Sequence, residues 1–415
     1  MGPAFGSRKP PRRDRMSAAR MGGGGVVFAL AVVPVLAADR PGDGASRGPL
    51  KVFILAGQSN MEGKAQVKTI ARLNLTDDAR PMYRDMNVKD GLPSAVENAY
   101  GVYFNGGDKH RGQERPVSVE KGPLQPGFGA EMTENTTFGP EYTFAIYMRK
   151  HLQNPILIIK TAWGGRDLIQ QFRPPSAGPY EKEVDRFGNP TGYYYGRIIQ
   201  HVKTVLADPG SYHPGYRKED GYELAGFVWF QGFNDLVGPY PEAGGKKDYS
   251  EYGRLMACFI RDVRKDLDAP RMPFVIGVMG IGGPIENEND GQFGFRKAQE
   301  APAALPEFKG NVAAVRTEHC WDMELARIQG KVADAARKRL LAENPKLGGR
   351  ALEQAVGKAA RSMASEVLTP EELKLLQTGT SNAAFHYMGS AYIYGRIGKA
   401  FADALNELGK GAPRP

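Results

Sequence analysis

The chain has 415 residues, of which 41% are hydrophobic and 10% aromatic, which is enough apolar material for a large folded core and excludes a disordered or fibrous protein. The formal net charge is +9 at pH 7, but part of it lies in a basic N-terminal stretch. Since no Lys/Arg cluster is interleaved with aromatic residues, the composition argues against a nucleic-acid partner.

The N-terminal residues follow the order of a signal peptide. Basic residues precede an apolar run at 26–36, which ends in the small residues Ala37 and Ala38. This run is shorter than the roughly 20 residues that cross a bilayer as a helix, so we expect cleavage and export rather than stable membrane insertion. The prediction is a signal peptide over 1–38, a linker over 39–49 and a secreted or periplasmic protein. An uncleaved anchor or a disordered tail is the alternative.

The cysteine count limits the covalent and metal chemistry of the chain. Two cysteines, Cys258 and Cys320, are too few for a disulfide framework or a four-thiolate zinc site, and the sequence leaves their pairing open. No group of His, Cys, Asp and Glu has metal-ligand spacing, so we predict no metal and no organic cofactor. The oligomeric state is not determined by the sequence.

Apolar runs of strand length alternate with helical patterns from residue 50 onward. Such near-continuous apolar strands indicate burial on both faces, and the alternation predicts a three-layer αβα sandwich with a mostly parallel five-stranded sheet over 50–408. Residues 409–415 are a tail. The predicted strands are 51–56, 156–161, 224–230, 274–279 and 311–315, and the predicted helices are about 140–152, 194–206, 249–267, 292–301, 324–343, 350–365 and 390–408.

Two segments do not fit the alternation. Residues 62–138 are rich in glycine, proline and polar side chains, and residues 171–193 carry four prolines. Long irregular insertions in a compact domain are often functional loops, so we interpret both as walls of a substrate cleft. Plain surface excursions are the alternative.

Ligands of an open α/β sheet collect beyond the carboxyl ends of its strands, so the residues after each predicted strand are candidates for chemistry. The first strand runs into Gly57-Gln58-Ser59-Asn60-Met61. A serine at such a strand-to-helix turn has an exposed hydroxyl with backbone amides near its oxygen, as a nucleophile requires. Taken alone, it is more often a helix cap.

Three further blocks follow other strands or precede the last helix. Gly164-Gly165 follows the second strand and allows close approach of a backbone amide to a ligand. Gln231-Gly232-Phe233-Asn234-Asp235 follows the third, and its side-chain amides can donate to a developing oxyanion. His386, just before the C-terminal helix, can take the serine proton and return it to a leaving alcohol.

The order of these blocks resembles that of the SGNH hydrolases. Within them, Gly57-Gln58-Ser59-Asn60-Met61, Phe138-Gly139-Pro140-Glu141 and Trp229-Phe230-Gln231-Gly232 are similar to motifs of the sialate O-acetylesterase-like carbohydrate esterases. The resemblance implies Ser59 as nucleophile and His386 as general base. It further implies the amides of Ser59 and Gly165 and the side chain of Gln231 or Asn234 as oxyanion donors, with Gln58 and Asn60 as substrate-binding residues.

The sequence departs from the family pattern at two positions. Phe233 stands where family members commonly have a glutamate, and Ala383 stands three residues before the histidine, where the acid is often found. The acid then comes from elsewhere, or the enzyme works as a dyad. Asp322 is the first candidate, followed by Glu324, Glu318 and Asp235, although a helix cap is a common use of such a residue.

The function expected from the residues and the resemblance is a secreted serine esterase acting on O-acetylated carbohydrate, either sialic acid or a polysaccharide. A catalytically degenerate carbohydrate-binding protein on the same fold is one alternative. A lipase or thioesterase of the SGNH type is the other.

Overall fold

The five predicted apolar runs are parallel strands of one sheet in the computed structural model, which describes residues 48–110, 112–130, 136–287 and 290–411. The predicted leader, most of the linker and residues 412–415 of the tail lie outside this range. The strands of the sheet are β1 (Leu50–Gly57), β2 (Ala99–Gly106), β3 (Val117–Pro123), β4 (Ile156–Ala162), β5 (Tyr222–Phe230), β6 (Phe274–Val278) and β7 (Val312–Arg316).

The sheet has the strand order β7-β6-β5-β1-β4-β2-β3. Neighbouring strands are parallel except β2 and β3, which pair antiparallel at one edge. The mostly parallel sheet is confirmed, but the expected count of five strands is wrong. The insertion at 62–138 supplies β2 and β3, so it is not purely a cleft wall. Two glycines interrupt β2, and β3 is exposed along most of its length, so neither strand shows the apolar run of a strand buried on both faces.

The helices are α1 (Ser59–Glu62), α2 (Arg80–Asp85), α3 (Pro140–His151), α4 (Tyr193–Ala207), α5 (Phe233–Leu236), α6 (Ser250–Asp266), α7 (Gly291–Glu300), α8 (Met323–Glu343), α9 (Gly349–Val367), α10 (Pro370–Gly379) and α11 (Ala391–Gly411). The seven predicted helices agree with α3, α4, α6, α7, α8, α9 and α11 within three residues. The sequence analysis did not predict the short helices α1, α2 and α5, nor α10, which begins with a Thr369–Glu372 capping box. Short 3₁₀ segments include Val67–Asn74 and Ala384–Gly389.

Alternate residues of the central strand β1 face opposite layers. Phe53 and Leu55 belong to the buried cluster that includes residues of α3 and α11, whereas Val52 and Ile54 belong to the cluster with α4 and α6. Because β1 is covered on both faces, its two side-chain sets are both apolar, which is why its sequence reads as one continuous run.

The topology brings the candidate blocks together. β1 lies between β4 and β5, and Gly57 at its end pairs in register with Ala162 on one side and Phe230 on the other. The segments that follow these three strands therefore leave the sheet at the same edge.

Three predictions about cysteines, metals and membranes concern the described residues. Cys258 and Cys320 are both buried free thiols. Within the described ranges no cluster of His, Cys, Asp and Glu is arranged to hold a metal ion. No helix in the same ranges is long and apolar enough to span a membrane.

Candidate functional site

Ser59 is the first residue of α1, directly beyond the end of β1. The chain passes so close to β5 that a Cβ on Gly57 would lie 2.1 Å from the carbonyl oxygen of Phe230, which requires glycine there. Ser59 is 8% exposed, and its hydroxyl has no hydrogen bond among the described residues. Its N–H is at the start of a helix, where no intrahelical acceptor exists. The serine thus has a free hydroxyl and a free backbone donor.

The loop after β4 packs directly against this serine. A Cβ on Gly164 would lie 3.4 Å from the Cβ of Ser59, and the Gly164 N–H donates to Oε1 of Glu62 at 2.7 Å. Gly165 has φ = 75°, a left-handed conformation that favours glycine. Its N–H has no acceptor in the described part of the chain, while its carbonyl accepts from Arg186 at 3.3 Å. Gly165, rather than Gly164, therefore offers a free donor.

A buried lysine in β4 donates a hydrogen bond to the end of α1. Lys160, in the middle of the apolar run of β4, donates from Nζ to the carbonyl of Glu62 at 2.7 Å and to Oε2 of Glu141 at 2.8 Å. Burial lowers the pKa of Lys160, and the Glu141 carboxylate opposes that shift. This ion pair joins β4, α3 and the end of α1.

Asn234 is aligned by Gln58. The Gln58 amide donates from Nε2 to Oδ1 of Asn234 at 3.1 Å, while its own Oε1 accepts from the Gly232 N–H at 3.0 Å. With Oδ1 turned to Gln58, the Nδ2 group of Asn234 points away from it and has no acceptor among the residues described. Gln58, predicted to bind substrate, is 1% exposed and instead orients Asn234.

Gln231 does not fit its predicted role as an oxyanion donor. Its Nε2 donates to the carbonyl of Arg166 at 3.0 Å and to Oδ2 of Asp235 at 2.5 Å, and its Oε1 accepts from the Tyr252 hydroxyl at 3.1 Å. Because both amide hydrogens are engaged in the interior, neither is available to a substrate oxygen. Of the two side-chain donors that the sequence left open, Asn234 has the free hydrogens.

His386 lies in the segment Ala384–Gly389, which α1 holds in place. Asn60 donates from Nδ2 to the carbonyl of Phe385 at 3.2 Å and accepts from the Tyr394 hydroxyl at 3.0 Å. Asn60, predicted to bind substrate, thus anchors the histidine loop to the serine helix. The next residues, Tyr387 and Met388, have φ of 49° and 58°, an uncommon conformation for side-chain-bearing residues that marks a sharp turn.

Within the part of the chain that the structure describes, the imidazole of His386 has one hydrogen bond to a side chain. Its Nδ1 lies 2.9 Å from Oδ1 of Asn382, which also accepts from the Ala383 N–H at 2.8 Å. Burial and the nearby Lys64 together lower the pKa of His386 to about 4, and Glu62 opposes that shift. The ring is therefore neutral at physiological pH.

Asp322, the first candidate for the triad acid, is engaged elsewhere. Its Oδ2 accepts from Nε of Arg72 at 3.1 Å, and its Oδ1 accepts from the Leu325 N–H at 3.0 Å as the N-cap of α8. Both side chains of the ion pair are 2% exposed. The structure does not bring Asp322 to Nδ1 of His386, so its predicted role is not supported.

The remaining candidate acids also have other partners. Glu324 reaches Arg72 at 3.5 Å, and Glu318 pairs with Arg316 at 2.6 Å. Asp235 accepts from the N–H groups of residues 168 and 169, and burial together with a neighbouring carboxylate raises its pKa to about 7. Asp235 thus fixes the loop after β4 to the block after β5.

Sequence reasoning missed two polar residues of the site. Asn382 stands four residues before His386, one position from Ala383, where an acid was sought. Glu62 stands three residues after Ser59 and is 7% exposed. A search for carboxylates passes over an asparagine, and Glu62 at the end of a short helix has no signal of its own in the sequence.

Two aromatic side chains form a rim beside the histidine. The rings of Phe233 and Phe385 lie 5.5 Å apart, and the Phe385 ring lies 4.4 Å from that of His386. Phe385 is 43% exposed. Phe233, the residue that departs from the family pattern, therefore has a packing partner at the site.

The seven-stranded sheet, its two helical layers and the blocks at its carboxyl edge define the class of protein as an SGNH-like α/β sandwich. The chain belongs to the family described as carbohydrate esterase, sialic acid-specific acetylesterase, which matches residues 49–324. Ser59, Gly165 and Asn234 lie within the matched residues, whereas Asn382 and His386 lie beyond them.

Comparison with solved structures gives two similar proteins. A carbohydrate acetylesterase from Xanthomonas citri is 18% identical with a TM-score of 0.40, covering 64% of this chain and 49% of the other. A protein from Arabidopsis thaliana is 17% identical with a TM-score of 0.37, covering 78% of this chain and 99% of the other. The chain thus spans about half the length of the Xanthomonas protein. A search of curated proteins found no match.

Proposed function

We propose that this protein removes acetyl groups from O-acetylated carbohydrates through an acyl-enzyme on Ser59. The observation that carries the proposal is the free hydroxyl of Ser59, which lies at the start of α1 beside Gly164. The same helix anchors the histidine loop through Asn60. Nucleophile and base are thus attached to one short element.

The proposed first step is attack of Ser59 Oγ on the ester carbonyl. His386, neutral because its pKa is lowered, accepts the serine proton at Nε2 as the new C–O bond forms. The attack forms a tetrahedral intermediate with a negatively charged oxygen. This oxyanion accepts hydrogen bonds from the N–H groups of Ser59 and Gly165 and from Nδ2 of Asn234. The carbon–oxygen bond to the sugar then breaks, and His386 gives its proton to the departing sugar oxygen, which leaves the acetyl group on Ser59. A water molecule, deprotonated by His386, attacks this acyl-enzyme, and the bond to Ser59 breaks to release acetate.

The carbohydrate substrate is proposed from the family and from the rim. The family description names sialic acid, and the exposed face of Phe385, backed by Phe233, offers an apolar surface for a sugar ring. Acetylated sialic acid and acetylated polysaccharide are the two candidate substrates.

Export, which the N-terminal pattern predicts, belongs to the same proposal. Sequencing the N terminus of the protein recovered outside the cell tests it.

The nucleophile is tested with Ser59→Ala and the matched surface variant Ser118→Ala. We expect Ser59→Ala to lower the rate of acetate release by about 10³-fold or more, because alanine has no hydroxyl with which to form the proposed acyl-enzyme. Ser118, exposed on β3, should leave the rate unchanged. Acetate release is measured from p-nitrophenyl acetate, acetylated sialic acid and acetylated polysaccharide.

Two results would reject the proposal. Equal rates for Ser59→Ala and the unmodified protein would favour a degenerate carbohydrate-binding protein. Faster cleavage of long acyl esters than of acetyl esters would favour a lipase or thioesterase.

A further inference from the structure

We propose that Asn382 is the positioning residue that takes the place of the triad carboxylate, holding His386 in the tautomer that leaves Nε2 free to accept the serine proton. The inference rests on the proposed Ser59 mechanism and adds a residue to it. No acid is then required at position 383, where the chain has alanine.

The hydrogen bonds around Asn382 determine which nitrogen of His386 carries the proton. An asparagine amide can present either its oxygen or its NH₂ group to a histidine, and the two choices give opposite tautomers. Here the Ala383 N–H, which can only donate, lies 2.8 Å from the same amide atom that faces His386. That atom is therefore Oδ1. Since Oδ1 can only accept, Nδ1 of His386 must carry hydrogen and Nε2 is the basic nitrogen.

The wrong amide orientation would abolish the base. If the NH₂ group faced the ring, Nδ1 would have to accept its hydrogen bond and Nε2 would carry the ring proton. Nε2 could then not accept the proton of Ser59. The Ala383 N–H prevents this by occupying Oδ1. A neutral amide can thus perform the orienting task of a triad carboxylate.

A triad acid also stabilises the positive charge that forms on the histidine, and Asn382 does not supply this second contribution. Among the described residues, the acidic and basic side chains that act on His386 are Glu62 and Lys64, both from the α1 side. They pair with each other, Lys64 Nζ lying 3.2 Å from Glu62 Oε2, so their fields on the ring oppose one another. Asn382 adds no charge. The imidazolium formed in the reaction therefore receives orientation but little net electrostatic support.

The loop around Asn382 is held by backbone hydrogen bonds, so we expect it to keep its conformation when the Asn382 side chain is changed. The backbone N–H of Asn382 donates to the Met388 carbonyl at 3.0 Å, and the Ser381 N–H donates to the same oxygen at 2.8 Å. These bonds do not involve the Asn382 side chain. Ala383 has φ = −69° and ψ = 161°, values that a proline adopts.

The first test compares Asn382→Ala and Asn382→Asp in the full chain. Asn382→Ala should lower kcat/KM by about tenfold or more, because the ring loses its orienting bond. Asn382→Asp keeps the acceptor and adds a charge, so the acid limb of the pH profile of kcat/KM should move up by about one to three pH units. A residue that merely supports the loop would leave that limb unchanged, and such a result would overturn the proposal.

The second test uses Ala383→Pro, which removes the backbone N–H that donates to Oδ1 of Asn382 and so fixes the orientation of the amide. We expect kcat/KM to fall about tenfold or more in the natural background, since the amide is then free to flip. In an Asn382→Asp background the same change should have less than about a twofold effect, because both carboxylate oxygens are acceptors. Equal losses in the two backgrounds would contradict the tautomer argument.

Failure of this inference is separate from failure of the proposed function. If Ser59→Ala is inactive and Asn382→Ala retains the full rate, the serine mechanism stands and the role of Asn382 is rejected. If Ser59→Ala retains activity, the mechanism itself is rejected.

Discussion

Asn234 and Gln58 act as a pair, in which Gln58 fixes the orientation of the Asn234 side chain and Asn234 is the proposed donor to the oxyanion. The free Nδ2 of Asn234 follows from the bond that Gln58 donates to Oδ1. A preorganised amide of this kind stabilises an oxyanion without having to reorient during the reaction. In the proposed mechanism both residues therefore affect the same step, although Gln58 is buried.

We predict that Asn234→Ala lowers kcat by about 10²- to 10³-fold with little change in KM, as expected for a donor that acts in the transition state. Gln58→Glu, which replaces the donor to Asn234 by an acceptor, should lower kcat in the same way. Steady-state kinetics with p-nitrophenyl acetate measure both effects. If Asn234→Ala raises KM alone, Asn234 binds the ground state instead.

At the scale of elements, the ion pair between Arg72 and Asp322 joins the 3₁₀ segment Val67–Asn74 to the start of α8. Both side chains are buried, and Asp322 also caps the helix. Removing one partner of a buried pair leaves an uncompensated charge, which costs much more than loss of a surface pair. The pair therefore contributes to the stability of this junction rather than to the reaction.

We predict that Asp322→Asn lowers the free energy of unfolding by about 3–5 kcal/mol and leaves kcat of the folded protein unchanged. Glu324→Gln, which removes the half-exposed partner of Arg72, is the matched control and should cost less than about 1 kcal/mol. Urea denaturation and steady-state kinetics measure the two quantities. A large fall in kcat with unchanged stability would restore Asp322 as the triad acid.

At the scale of the whole molecule, two buried histidines make stability depend on pH. His201 stacks on Phe104 at 4.4 Å, and its Nε2 is buried without a partner among the described residues. Burial lowers the pKa of His201 to about 3 and that of His213 to about 4. Both values lie below the ordinary 6.5, so the unfolded chain binds more protons than the folded one between pH 6.5 and 4.

We therefore predict that the protein loses stability as pH falls from about 6.5 towards 4, by up to about 1.4 kcal/mol per pH unit for each such histidine. His201→Gln, which cannot titrate, should reduce this slope whatever its effect on stability at pH 7. Urea denaturation at pH 7, 6 and 5 gives the slopes, and an unaltered slope in His201→Gln would contradict the assignment.

The sequence by itself determined five of the seven strands, the seven longer flanking helices other than α10, and the position of the candidate blocks at the strand ends. It did so because these five strands are continuous apolar runs, and because parallel strands end at one edge. It did not determine β2 and β3, whose glycines and exposed positions remove that signal.

The tertiary structure decided how the polar residues of the site are used. Gln231 and Asn234 are equivalent donors in the sequence, and they differ because the Gln231 hydrogens are engaged in the interior. Likewise Asp322 faces Arg72, while Asn382 faces His386. A side chain's chemistry can be read from its identity, but its available hydrogens depend on neighbours that are distant in the chain.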